Sequence, residues 1–137
     1  MRDKILDFNK LSPVVFKKLE EDYGYNLDEI KINELNGINW STHHIYINRD
    51  KGLKIIIKQE PYYTDYGFSF FIHKLGTEEY NILYNVESEY QDDDNKFLKK
   101  SYSDLFSNEE TTNIISGKYW KELGYIPFKI STSANNI

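Results

Sequence analysis

The chain lacks cysteine altogether and has only three prolines and one methionine among its 137 residues. Without cysteine, disulfides, zinc–thiolate sites and cysteine nucleophiles are excluded. A small protein without disulfides fits a reducing compartment, and the charged first twenty residues lack the apolar segment of a secretory signal. The longest apolar runs, 55–57 and 70–72, are too short to cross a bilayer. We therefore expect a cytoplasmic protein that does not enter membranes.

Positive charge is also scarce, because 17 basic residues face 22 acidic ones and leave a formal net charge of −5. Binding to phosphate backbones depends on clustered lysine and arginine, so this balance argues against direct nucleic-acid binding. An acidic surface suits a basic protein partner instead, because complementary fields speed the encounter.

An N-terminal helix is predicted over about 12–23. Ser12 is a favourable N-cap, and Pro13 would occupy the first helical position, where its missing N–H costs nothing. Val15 and Leu19 lie on one helical face. Gly24 is the expected stop, because glycine readily adopts the left-handed conformation that ends helices.

Apolar residues then alternate with a period of two, which predicts strands near 29–35, 39–48, 53–60, 66–75 and 79–87. The connections between them are short. Short connections between consecutive strands imply an antiparallel meander rather than parallel strands joined by crossover helices.

Two helices are predicted after the strands. A short one covers about 97–105, and a second runs from Ser107 to Gly124, with Ser107 and Glu110 at the spacing of a capping box. Gly117 weakens the middle of this second helix, which leaves open a division into two helical pieces. A short edge strand is expected over 125–130.

The predicted fold class is α+β, with one N-terminal helix, an antiparallel meander sheet of about five strands, and C-terminal helices packed on one sheet face. We expect a single domain over 1–130 and a disordered tail over 131–137.

The strand pattern also predicts which side chains are buried and which are exposed. The faces that carry Trp40, Tyr46, Tyr80 and Tyr84 hold more aromatic area than a solvated face needs. Trp40 and Tyr46 are therefore candidate partner-binding residues. The residues expected in the core are Leu19, Ile45, Ile47, Ile55, Ile57, Phe70, Ile72, Ile82 and Leu83.

The main interaction-site candidate is an acidic run without a basic residue. It comprises five acids around one tyrosine: Glu87, Glu89, Tyr90, Asp92, Asp93 and Asp94. Such a run attracts a cationic surface, and a tyrosine anchors an interface at low entropic cost. Phe97 and Ser103 stand where an EF-hand loop starting at Asp92 needs glycine and glutamate, so the run is not an EF-hand. A weak cation site at Asp92 to Asp94 stays open.

Motifs for other functions are incomplete. The segment 66–73 resembles the aromatic strand motif of RNA-recognition domains, but its leading basic residue and the crossover helix are missing. His43 and His44 are adjacent on a predicted strand, so they point to opposite faces and cannot easily bind one metal ion. Phosphate-binding glycine motifs and nucleophile elbows are absent from the sequence. We therefore expect no cofactor, no metal and no enzymatic activity.

In general build the chain resembles small bacterial immunity proteins, which block a cognate toxin in the cytoplasm. The likeness rests on one cysteine-free acidic domain with a helix, an antiparallel sheet and further helices, and it includes the closing segment 114–125. The resemblance implies tight stoichiometric binding to a basic toxin or nuclease domain, and it transfers no functional residue. A phage-type inhibitor of a host nuclease, a small-molecule-binding or enzymatic domain, and a structural subunit that self-associates through its aromatic face remain alternatives.

Overall fold

The computed structural model describes residues 4–61, 66–91 and 95–122. Helices lie at both ends of this part of the chain, with five strands between them. The elements are α1 (Lys4–Val15), α2 (Lys18–Glu21), β1 (Asn26–Leu35), β2 (Ile38–Asn48), β3 (Leu53–Gln59), β4 (Tyr66–Lys74), β5 (Tyr80–Glu87), a 3-10 turn (Ser88–Tyr90), α3 (Lys96–Ser107) and α4 (Glu109–Ile115).

The five strands form one sheet in which spatial order follows chain order, and every neighbouring pair is antiparallel. This confirms the predicted meander and the α+β class. Gly52 and Gly76 have φ of +67° and +76°, so they supply the left-handed conformation in the turns after β2 and β4. Because spatial order follows chain order, β1 and β5 are the edge strands of the described sheet.

The first helix differs from its prediction. α1 begins at Lys4 rather than near Ser12, and it contains Pro13 in its last turns. Ser12 is fully buried inside the helix, so it is not an N-cap. Pro13 cannot donate an N–H to the helical ladder, and the regular helix ends shortly after it. Gly24, with φ of +78°, lies beyond α2 in the left-handed conformation that was expected.

The second C-terminal helix is also shorter than predicted. Asn108, not Ser107, is its N-cap, because the Asn108 side chain accepts a hydrogen bond of 3.0 Å from the Thr111 amide. α4 ends at Ile115, before Gly117 with φ of +85°. The predicted end at Gly124, the edge strand over 125–130 and the tail over 131–137 lie outside the described residues.

The core lies between one face of the sheet and the helices. Six of the nine predicted core residues are fully buried: Leu19, Ile55, Ile57, Phe70, Ile72 and Leu83. The prediction was wrong for Ile45, Ile47 and Ile82, which are half-buried. They lie on the opposite face of the sheet, where Ile45 pairs with Ile56, Ile56 with Phe71, and Phe71 with Ile82 in one apolar row.

A buried polar cluster joins α1 to β2. The Asn9 Oδ1 atom accepts hydrogen bonds of 2.7 Å from the Thr42 hydroxyl and from His44 Nε2. The Phe8 ring lies 4.9 Å from the His44 ring, centroid to centroid. Because His44 is fully buried, desolvation and then the charge of His43 lower its pKa to about 4. His44 is therefore neutral in the folded protein at neutral pH.

This burial predicts a pH dependence of stability. The unfolded chain takes up a proton at His44 near pH 6.5, whereas the folded chain does so only near pH 4. The free energy of unfolding should therefore fall as the pH drops from 6.5 to 4, by on the order of 3 kcal/mol from this residue. Chemical denaturation at a series of pH values should show a smaller decrease for His44→Gln than for the native chain. Equal decreases in the two proteins would contradict the assignment.

Candidate functional site

The described part of the acidic run lies directly after the last strand. Glu87 ends β5, and the 3-10 turn places Glu89 and Tyr90 at the surface. The Tyr90 side chain is 44% exposed. Desolvation and then the carboxylates of Glu89 and Glu87 raise its pKa, so the hydroxyl stays protonated at neutral pH. Asp92, Asp93 and Asp94 lie outside the described residues.

Tyr90 borders a surface cavity of about 250 Å³ between β5 and α3. Tyr84 and Val86 belong to β5. The pairing of β5 with β4 is irregular, and consecutive β5 residues are therefore buried on the helix side. Helical spacing places the α3 residues in two rows, an inner row of Phe97 and Ser101 and an outer row of Lys96 and Lys100. The cavity thus has apolar and aromatic walls with two lysines among its lining residues.

A hydrogen-bonded group holds β5 to α3 beside the cavity. The Tyr84 hydroxyl donates to Asp104 Oδ2 at 2.5 Å, and Lys100 Nζ lies 3.1 Å from the same oxygen. Burial and then the bond to Asp104 raise the pKa of Tyr84, so the phenol is a neutral donor. These contacts hold the cavity wall in one conformation in the free protein.

The turn that carries Tyr90 is anchored by two buried glutamines. Gln91 accepts a hydrogen bond of 2.7 Å from the Gln59 side-chain amide, so β3 holds the residue next to Tyr90. Gly67 on β4 lies so close to the Gln91 amide that any side chain on Gly67 would overlap it. The position of Tyr90 therefore depends on a glycine that the sequence does not single out.

The other two predicted partner-binding residues do not join this surface. Tyr46 is 1% exposed and points into the core, where it pairs across the sheet with Ile55. Its prediction as an exposed residue was wrong, because even-numbered positions of β2 face the helices. Trp40 lies on the same face of β2, is half-buried, and is three strands away from β5 in the sheet. Tyr84, expected on an exposed aromatic face, is buried as well.

The histidines are arranged as the alternation predicts. His44 faces the helices, whereas His43 lies on the opposite face, with Nε2 2.9 Å from Glu60 Oε2. The hydrogen bond to His43 lowers the pKa of Glu60. The same hydrogen bond links β2 to the end of β3. Within the described ranges, no group of three His, Cys, Asp or Glu side chains is arranged to hold a metal ion.

The segment that resembles an RNA-recognition motif is β4. Its Phe68 and Phe70 side chains are fully buried in the core between the sheet and the helices. Phe71 and His73 lie on the other face, and their rings are 6.1 Å apart. Lys58 Nζ lies 4.4 Å from the centre of the Phe71 ring.

Models of protein families, curated protein sequences and solved structures were compared with this chain, and none matches it. None of the helices within the described ranges combines the length and the hydropathy that a bilayer span requires.

Gly67→Ala tests how Tyr90 is held. The added methyl group must displace the Gln91 amide and break its bond to Gln59, so we expect the protein to lose about 1–3 kcal/mol of stability. In a Gln91→Ala background, where no amide has to move, the same substitution should cost clearly less. Chemical denaturation of the four proteins measures this coupling, and an equal cost in both backgrounds would contradict the contact.

Proposed function

We propose that this chain is a small binding protein of the immunity or inhibitor type, which neutralises a basic toxin or nuclease domain by stoichiometric binding. The single observation that carries the proposal is the exposed Tyr90, placed between acidic residues at the mouth of an apolar cavity. We call the surface formed by Glu87, Glu89, Tyr90 and the adjoining cavity the Tyr90 surface.

The parts of the Tyr90 surface match the anatomy of a protein interface. Tyrosine is enriched among the residues that dominate binding energy, because it buries a large area while losing little side-chain freedom. The cavity next to it, floored by Val86 and Phe97, is suited to an apolar side chain of the partner. Glu87 ends β5 and Glu89 precedes Tyr90 in the turn, so both acids are close in sequence to the tyrosine and can pair with basic residues of the partner.

The charge of the acidic run favours a basic partner, although the cavity beside Tyr90 also has Lys96 and Lys100 in its lining. The chain carries a net charge of −5, and the run from Glu87 to Asp94 contains five acids and no base. Charges at the border of an interface mainly raise the association rate and exclude partners of like charge. The general likeness to immunity proteins supports the same class of partner, a toxin or nuclease domain that binds polyanions.

Affinity capture with matched variants tests the proposal. Tyr90→Ala should lose a basic protein that the native chain retains from lysate of the source cells, because the variant lacks the anchor. Tyr119→Ala is the control, since Tyr119 is also 44% exposed and lies outside the Tyr90 surface. Retention of the same partner by Tyr90→Ala would contradict the role of Tyr90. Turnover of a small molecule at this cavity would contradict the binding function itself.

Association kinetics test the acidic border separately. Replacing Glu87 and Glu89 by glutamine should slow association with the captured partner and weaken its salt dependence, while dissociation changes little. Reversing the charge of Asp92, Asp93 and Asp94 together should act in the same direction. Glu78→Gln with Glu122→Gln removes the same charge as the glutamate pair at exposed positions elsewhere and serves as the control. Equal association rates for all these variants, measured by surface plasmon resonance, would exclude the acidic border.

A further inference from the structure

The exposed aliphatic side chains are concentrated in one region. Ten large apolar side chains are exposed in the described ranges, and the three that lie elsewhere are all tyrosines. The seven aliphatic ones belong to α1 or to the β1–β2 hairpin: Leu6, Leu11, Val14, Ile30, Ile32, Leu35 and Ile38. Exposed aliphatic groups gathered on one side of a molecule mark a surface that another molecule covers.

β1 is the centre of this region. It spans ten residues, Ile30 and Ile32 on it are 38% and 42% exposed, and no described strand pairs with its outer edge. An edge strand presents unpaired N–H and C=O groups that another strand can use. Ile30 and Ile32 pair across the sheet with His44 and Thr42, the two residues that Asn9 of α1 binds. The two isoleucines therefore lie on the helix side of the sheet, next to α1.

The charges of β1 complement a second copy of the same strand. Glu29 and Lys31 flank Ile30 and share the face opposite to it. An antiparallel pairing of two β1 strands about a two-fold axis at Ile30 places each Glu29 opposite the Lys31 of the other copy. The two Ile30 side chains then meet directly, and each Ile32 lies diagonally across from the other Ile30. A lysine within an edge strand usually prevents pairing with another chain. Here the same strand also carries Glu29, so the Glu29 of one copy neutralises the Lys31 of the other.

We infer that this chain forms a two-fold symmetric dimer in which the β1 strands of two copies pair antiparallel. The pairing is centred on Ile30, and Glu29 of each copy forms an ion pair with Lys31 of the other. The two sheets join into one sheet of ten described strands, with all helices on one side, because a two-fold axis normal to the sheet keeps each face on its own side. The dimer leaves both Tyr90 surfaces accessible, since the Tyr90 turn follows β5 at the other edge of each sheet.

Analytical ultracentrifugation of the purified chain across a dilution series tests this dimer without any partner. We expect the native chain to sediment as a dimer and Ile30→Lys to sediment as a monomer. Tyr119→Lys is the control, because it makes the same kind of change at an apolar side chain that is 44% exposed and lies outside α1 and the β1–β2 hairpin. Circular dichroism verifies that the variants are folded. A native chain that sediments as a monomer, or an Ile30→Lys variant that remains a dimer, would overturn the inference.

A charge swap tests the register. Glu29→Lys or Lys31→Glu alone places two like-charged pairs across the axis and should raise the dimer dissociation constant roughly tenfold. The double variant Glu29→Lys with Lys31→Glu restores both ion pairs and should return the constant to near its native value. Because a merely structural effect of either substitution would persist in the double variant, failure of this rescue would overturn the pairing centred on Ile30.

Discussion

The alternation of side chains across five antiparallel strands is the constraint on which the rest of the structure depends. The side chains of Tyr46, Ile55 and Ile72 face the helices, and those of Ile45, Ile56 and Phe71 lie on the other face of the sheet. A slip of one residue in any pair would exchange these two sets. The described helices pack on one face of the sheet, and the cluster of Asn9, Thr42 and His44 fixes α1 to β2 on that face. A polar cluster of this kind specifies one arrangement, because any shift would leave buried polar atoms without partners.

The number, order and direction of the strands could be predicted from the sequence because they depend on local alternation and short turns. The buried face could not be predicted for β2, because both of its faces carry large side chains, Ile45 and Ile47 on one and His44 and Tyr46 on the other. Thr42, His44 and Tyr46 are all buried under the helices, and the hydrogen bond from His44 to Asn9 that accompanies this burial exists only in the folded chain.

Helix ends were less predictable than strands for a physical reason. Ser12 followed by Pro13 matches a helix start, but Ile5, Phe8 and Ser12 lie on the buried side of a helix that starts at Lys4. Packing of that side against the sheet determines the helix more strongly than its capping residues do. The Tyr90 surface was found in part, since the acids and the tyrosine are adjacent in sequence. The cavity was missed, because Tyr84 and Phe97 meet only through the packing of α3 on β5.

The meander leaves an edge at each end of the described sheet, and the two proposed interaction surfaces lie at these opposite edges. The central claim is that the Tyr90 surface binds a protein, and hydrogen–deuterium exchange of the chain with and without its captured partner tests it most directly. Slower exchange on binding, concentrated in residues 86–91 and 95–101, is the predicted result. Protection confined to other segments, with these two unchanged, would contradict the account.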